Sequence, residues 1–272
     1  VRSTLCRIRI EKHEEGHEER TEPVNIRAIG FDIDGTLYPS AWMIVGAIPS
    51  FLFAPRITYH FSRVRKEIRK LRYDGTLREM QAKLLAHRIR STPEEAQRRI
   101  ERQLYKRWES SFRIIRPFRG VRETLLSLSH AGFPLAALSD FPPADKLRTL
   151  GIDDLFSEVV GSEDVGYLKP NPEPFLRLSR LLGFPPEEIL YVGNSAKYDI
   201  AGAQAVGMKT AHIAKCESGD ERADFVFSDF YALREWVFSQ TEKEKTRENG
   251  AKMIGDTEEF QEARSLRSPN NN

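Results

Sequence analysis

The sequence predicts an α/β protein in which a doubly wound parallel sheet is interrupted, after its first strand, by a small helical insert. Three observations carry that prediction. Short apolar runs of buried-strand length recur at residues 26–31, 134–138, 158–160, 189–192, 210–213 and 225–227. Helical patterns alternate with the later runs, as in a parallel sheet covered by helices on both faces. Between the first and second runs lies a long stretch with no strand signal, in which apolar residues recur at helical spacing.

The first strand runs through "IRAIGFDIDGTL" and ends in two acids, Asp32 and Asp34. Side chains two apart on a strand share a face, so the carboxylates crowd one space. Either they splay into solvent at a turn, or a cation, a shared proton or hydrogen-bond donors offset their repulsion. Residues 40–117 form the insert. Ile57, Phe61, Val64, Ile68 and Leu71 follow a 4-3-4-3 spacing, continued by Leu77, Met80 and Leu84 and by Ile100, Leu104 and Trp108. These stripes are expected to pack together as a helical core.

Beyond the insert, "VRETLLSLSHAG" ends in a glycine stop, and "PADKLRTLG" opens with proline and closes with glycine. "PNPEPFLRLSRLLGF" and "YDIAGAQAVGM" repeat that helix grammar. The core is therefore assigned to 24–39 and 118–240. Residues 1–23 and 241–272 are charge-rich and aperiodic, and read as disordered tails.

Composition narrows the function classes. A chain of 272 residues can bury a substantial core. Its net charge is only +2, yet residues 40–119 hold 19 Lys or Arg against 7 Asp or Glu, a surplus of +12 that leaves −10 for the rest. Such a basic module attracts phosphates, nucleic acid or an anionic membrane, although solvated helix faces are the commoner cause of a basic stretch. Nucleic acid is disfavoured. Residues 35–55 carry no charge, but Pro39, Gly46, Pro49 and Pro55 break the run, and its dense apolar part is shorter than the ~20 residues needed to span a bilayer. Contact with a membrane surface, backed by "RVRKEIRKLR", is the less favoured alternative.

Cys6 and Cys216 lie in unlike contexts and suggest neither a disulfide framework nor a zinc site. His13 and His17 sit in a Glu-rich segment, and His60, His87, His130 and His212 are scattered and read as structural. With no apolar leader at the start of the sequence, a cytoplasmic protein is expected. There is no GxxxxGK[ST] loop and no GxSxG elbow.

In open α/β sheets ligands bind beyond the carboxyl ends of the strands. Four segments there carry chemistry: "DIDGT", "LSDFPP", "GYLKPNPEPF" and "VGNSAKYDIAGA". Each alone is weak, since Ser139 could cap a helix, Lys169 could be a solvated loop cation and Asp199 an exposed helix residue. Together and in this order, they make the sequence resemble the haloacid dehalogenase (HAD) superfamily of hydrolases over about 26–227. The insert resembles that family's C1 type of helical cap over a Rossmann-like core.

The resemblance implies a Mg²⁺-dependent phosphatase acting on a small anionic phosphomonoester. Asp32 would be the nucleophile that forms an aspartyl phosphate, and Asp34 the general acid and base. Mg²⁺ would be held by Asp32 and the backbone carbonyl of Asp34, with Asp199 at or beyond the metal's first ligands. Asn194 stands where the family most often has a metal-ligating aspartate, so an uncharged oxygen replaces a charged one. Ser139, Asp140 and Lys169 are assigned to phosphate, Lys169 being the one cation this arrangement needs, and Thr36 would shape the loop and donate to Asp34. Asp34 argues against the dehalogenase branch, which lacks an acid at that position. The alternatives are a phosphotransferase or mutase, or a catalytically weak domain that binds a phosphorylated ligand or protein partner, the last motivated by Asn194.

Overall fold

The computed structural model describes residues 25–108, 115–214 and 219–241. Cys6, Cys216, His13, His17 and nearly all of both expected tails lie outside them. Six parallel strands, β1 (Ala28–Asp32), β2 (Leu135–Ser139), β3 (Glu158–Gly161), β4 (Ile189–Gly193), β5 (Lys209–Ile213) and β6 (Phe225–Phe227), form one sheet in the order β3-β2-β1-β4-β5-β6. The strands fall within two residues of the apolar runs at either end. The doubly wound prediction therefore holds, with β1 central and the order reversing on either side of it.

Strand alternation sorts the core onto two faces. Ile29, Phe31, Leu135, Ala137, Leu190 and Val192 point to one side, where helices α5 (Val121–His130) and α6 (Ala144–Leu150) cover them. A last helix over residues 230–241 lies on the same side and contributes Phe230, Leu233 and Val237. Ala28, Ala136, Leu138, Ile189 and Tyr191 point to the other, against α8 (Pro172–Leu182) and α9 (Ala201–Gln204). A short helix α7 (Ser162–Val165) follows β3. Pro172 opens α8, whose N-cap Asn171 accepts from the Glu173 N–H, and Gly183 closes it in the left-handed conformation.

Helices α1 (Ala41–Phe53), α2 (Pro55–Ile68), α3 (Leu77–Ile89) and α4 (Pro93–Ile100), with the wide turn Glu101–Tyr105, lie between β1 and α5. They share a separate apolar cluster of Ile57, Phe61, Val64, Ile68, Leu85, Ile100 and Leu104. Leu71 is left out of it, 38% exposed, because α2 ends at Ile68 and the chain turns away. Leu168, which immediately precedes Lys169, enters this cluster from the core, and Phe141 packs against it. Where the chain re-enters the core, the Phe118 N–H donates to the Leu37 carbonyl at 3.0 Å, tying the two ends of the excursion together.

Candidate active site

Asp32 is the last residue of β1 and pairs with Leu138, so Ser139 and Gly193 end the neighbouring strands beside it. One oxygen of its carboxylate accepts from Lys169 Nζ at 2.6 Å and the other from the Thr36 hydroxyl at 2.7 Å. The expected donation from Thr36 to Asp34 is corrected. After Ile33 the chain turns back, with the Thr36 and Leu37 N–H groups both donating to the Ile33 carbonyl, and this turn carries the hydroxyl under Asp32. The same hydroxyl lies 3.4 Å from Asn194 Oδ1, so it stands between the oxygens of Asp32 and Asn194.

The crowding of the two acids is resolved by two lysines. Lys169 serves Asp32, and Lys146, on α6, lies 2.6 Å and 2.5 Å from the two oxygens of Asp34. Asp34 also accepts from the Tyr38 hydroxyl and, at 2.8 Å, from the Ser139 hydroxyl. The sequence reading missed Lys146, because in "PADKLRTLG" it looks like any cation on a short helix. Its burial beside Leu147 and Leu150, at 1% exposure, shows only in the fold.

Lys169 Nζ also donates to Asp199 Oδ1 at 2.6 Å and to the Tyr191 hydroxyl at 3.2 Å. The other oxygen of Asp199 accepts from the Ser195 N–H at 2.9 Å. This approach requires Gly193, where a Cβ would overlap the Asp199 side chain. Gly35 is required twice over, by its φ of +92° and by Asn194, whose amide fills the space of a Cβ. Asn194 is fixed from behind. The Asp220 N–H donates to His212 Nδ1, which leaves the proton on Nε2 to donate to the Asn194 carbonyl at 3.0 Å.

Burial, reinforced by the negative charges of Asp199 and Asp34, pushes the Asp32 carboxyl up to about 7 against the pull of Lys169. Burial opposes ionisation of Asp34 as well, but Lys146, Tyr38 and Ser139 outweigh it and hold that carboxyl below its usual range. Burial works against the Lys169 ammonium too, and Asp199 and Asp32 outweigh it, keeping its pKa well above the ordinary lysine value. The acids thus differ in environment: Asp34 is held as an anion, whereas Asp32 is short of positive charge.

Asp140, assigned to phosphate from the sequence, meets protein donors in this structure. Its carboxylate accepts from Arg69 of α2 at 2.6 Å and from the Lys169 N–H at 3.1 Å, so both oxygens are committed. Arg69 in turn donates from Nε to the Lys169 carbonyl at 2.9 Å, and Arg65 donates to the Asp140 carbonyl at 2.6 Å. Two arginines of the insert therefore clasp the loops that carry Ser139 and Lys169. With Asp32 at 4% and Lys169 at 3% exposure, the site is closed beneath them.

Among the described residues no group of three His, Cys, Asp or Glu side chains is placed to hold a metal. A carboxylate oxygen of Asp32 and the amide oxygen of Asn194 both lie within 3.4 Å of the Thr36 hydroxyl, and they are hard oxygens of the kind magnesium takes together with water. The charge shortfall at Asp32 fits an added cation. This donor set is compatible with Mg²⁺.

An acid at the end of a central parallel strand, met by a lysine from the loop after β3 and an acid from the turn after β4, defines a hydrolase-type site on an α/β sheet. The chain belongs to the haloacid dehalogenase-like hydrolases, whose family model matches residues 26–207. A glyceraldehyde 3-phosphate phosphatase of Methanopyrus kandleri is 32% identical over 222 residues, 75% of this chain and 92% of that protein. A phosphoglycolate phosphatase of Salmonella choleraesuis is 33% identical over 209 residues, 67% of this chain and 79% of that one. Among solved structures, a 2-haloacid dehalogenase from Pseudomonas syringae superposes with a TM-score of 0.58 at 25% identity, covering 78% of this chain and 99% of its own.

Proposed function

We propose that this protein is a Mg²⁺-dependent phosphatase that hydrolyses a small phosphomonoester through an aspartyl phosphate on Asp32. The observation that carries the reading is the setting of Asp32. It is a buried carboxylate at a strand end, oriented by Lys169 and Thr36, with a second acid two residues on. The names of the relatives, phosphatases of three-carbon and two-carbon phosphates, support a small substrate. Asp34 supports phosphoryl chemistry over carbon–halogen cleavage.

In this reading Asp32 attacks phosphorus and takes the phosphoryl group, while Lys169 balances charge on the nucleophile and the transferring oxygens. Asp34, which the free site holds ionised, must first take up a proton; it then gives that proton to the leaving oxygen and draws one from the attacking water. Ser139 and Lys146 position its carboxylate. Bound at Asp32, the Asp34 carbonyl and Asn194, Mg²⁺ would supply charge neutralisation of the phosphoryl oxygens. Helices α1–α4 serve as the cap, and Arg65 and Arg69 seat it over the site.

A second reading is favoured by one observation. Asp34 is held ionised by Lys146, Tyr38 and Ser139, and in that state it has no proton to give. A domain of this kind would bind a phosphorylated ligand with little turnover. Phosphate release from a generic aryl phosphate with Mg²⁺ separates the two: turnover lost in Asp32→Asn supports the phosphatase, and no turnover in the wild type overturns it.

A further inference from the structure

Helix α1 is packed the wrong way round for a helix facing water. Its buried positions are Gly46 and Ser50, the latter donating to the Gln103 carbonyl at 3.0 Å. Trp42 and Met43 in its first turn pack against the core, but from Ile44 onward its large apolar side chains point outward: Ile44, Val45, Ile48, Phe51, Leu52 and Phe53, with Ile44, Leu52 and Phe53 each at least 70% exposed. Ile44, Ile48, Phe51 and Leu52 follow i, i+4, i+7, i+8 spacing, so the exposure is a continuous stripe along the helix rather than scattered residues. Soluble proteins seldom leave a contiguous apolar face of this kind to water, and where one occurs it marks a contact surface.

The charges beside the stripe say what it contacts. From Gly35 to Lys66 the chain contains no Asp or Glu. The stripe ends at Phe53 and leads directly into α2, whose exposed side carries Arg56, Tyr59, Arg63 and Lys66, with exposed Lys70 in the turn just beyond its end. Arg63 lies over the Tyr59 ring, and Arg107 lies over the Phe53 ring at 5.2 Å. Among the described residues no acid pairs with Arg56, Lys66 or Lys70. On the turn behind α1, Glu101 accepts from Gln97 and is followed by Arg102, Lys106 and Arg107. A second copy of the chain fits this surface poorly, because a two-fold contact would set the Arg56 and Arg63 regions of both copies together with no acid between them.

We propose that α1 and the outer side of α2 form a membrane-surface contact that seats the protein on a bilayer containing anionic lipid. The apolar stripe enters the acyl boundary, and the arginines and lysines meet the headgroups. No described helix is long and apolar enough to cross a membrane, and none is needed. This surface is separate from the catalytic residues, so the proposal stands or falls independently of the phosphatase reading.

The test is co-sedimentation of the full chain with vesicles of phosphatidylcholine alone and of phosphatidylcholine with roughly one-third phosphatidylserine. Ionic strengths of about 0.01 M and 1 M take the screening length from roughly 30 Å to 3 Å. Binding to the anionic vesicles at low salt, lost at high salt, is expected. The double variant Leu52→Ser/Phe53→Ser is expected to reduce it at least about tenfold, and Arg56→Gln/Arg63→Gln about fivefold per cation. Both variants should keep the wild-type melting temperature and oligomeric state. No sedimentation with either vesicle at low salt overturns the proposal. So does binding indifferent to Leu52→Ser/Phe53→Ser, or self-association that this variant abolishes, or a stable complex with an acidic protein that competes away all vesicle binding.

Discussion

Lys146 Nζ lies within 2.6 Å of both carboxylate oxygens of Asp34, forming an ion pair that is almost wholly buried. Removing one partner of such a pair strands the other charge in a dry interior, which costs more than the pair contributes when intact. Lys146→Met should therefore destabilise the protein by roughly 3 kcal/mol. Adding Asp34→Asn should recover most of that loss, as measured by urea unfolding. Additive effects would show that the two groups do not pair in solution.

Asp32→Asn should abolish phosphate release and leave the melting temperature unchanged or raised, because the neutral isostere relieves repulsion from Asp199 and Asp34. Asp34→Asn should differ. With an aryl phosphate, whose leaving group needs little protonation, some phosphoenzyme should still form while its hydrolysis stalls. Rapid-quench measurement of both half-reactions checks this, and equal loss of both counts against the assigned roles.

Asn194→Asp adds a negative charge beside Asp32. If Asn194 is a neutral ligand, the substitution should lower the Mg²⁺ concentration at half-maximal turnover, with the gain shrinking at saturation. Without the metal the variant should melt at a lower temperature, because a further anion joins an already crowded site. Identical magnesium midpoints for variant and wild type would place Asn194 outside the ligands.

Burial opposes the Asp140 anion, but Lys169, Arg69 and Arg65 outweigh it and hold its carboxyl below the ordinary value of 3.8. A depressed folded-state pKa contributes stability that is present above the unfolded value and lost as pH falls through the folded one. Asp140→Asn should thus lower stability at neutral pH and flatten its decline below about pH 4, as followed by thermal melts across pH. Arg69→Lys should not substitute for arginine. A single ammonium cannot reproduce the Nε contact to the Lys169 carbonyl together with the terminal-nitrogen contact to Asp140. Its turnover number should fall about tenfold with KM little changed, the sign of a displaced Lys169 rather than weaker substrate binding.

Gly193→Ala should push Asp199 away from Lys169, since the new methyl group would overlap the Asp199 side chain. Loss of turnover with a folded, monodisperse protein is expected, and full activity would show that Asp199 does not need its present position.

By itself the sequence determined where the strands lie, that they run parallel beneath alternating helices, and that Asp32, Lys169 and Asp199 follow strand ends. Each of those inferences rests on local quantities, namely alternation, helix stops and position within a run of a few residues. Only the tertiary structure decided the partners. Lys146 and Asp34 are 112 residues apart, Arg69 and Asp140 are 71 apart, and no local period encodes which cation meets which acid. Thr36 went to Asp32 rather than Asp34 because a turn at Ile33, invisible in composition, rotated its hydroxyl. The facing of α1 was undetermined for a related reason. A helix apolar on every side has no polar stripe to orient it, so beyond Trp42 and Met43, which pack on the core, its inner face was settled by the small residues, Gly46 and Ser50, that could approach the neighbouring backbone, which left the bulky side chains from Ile44 onward outside.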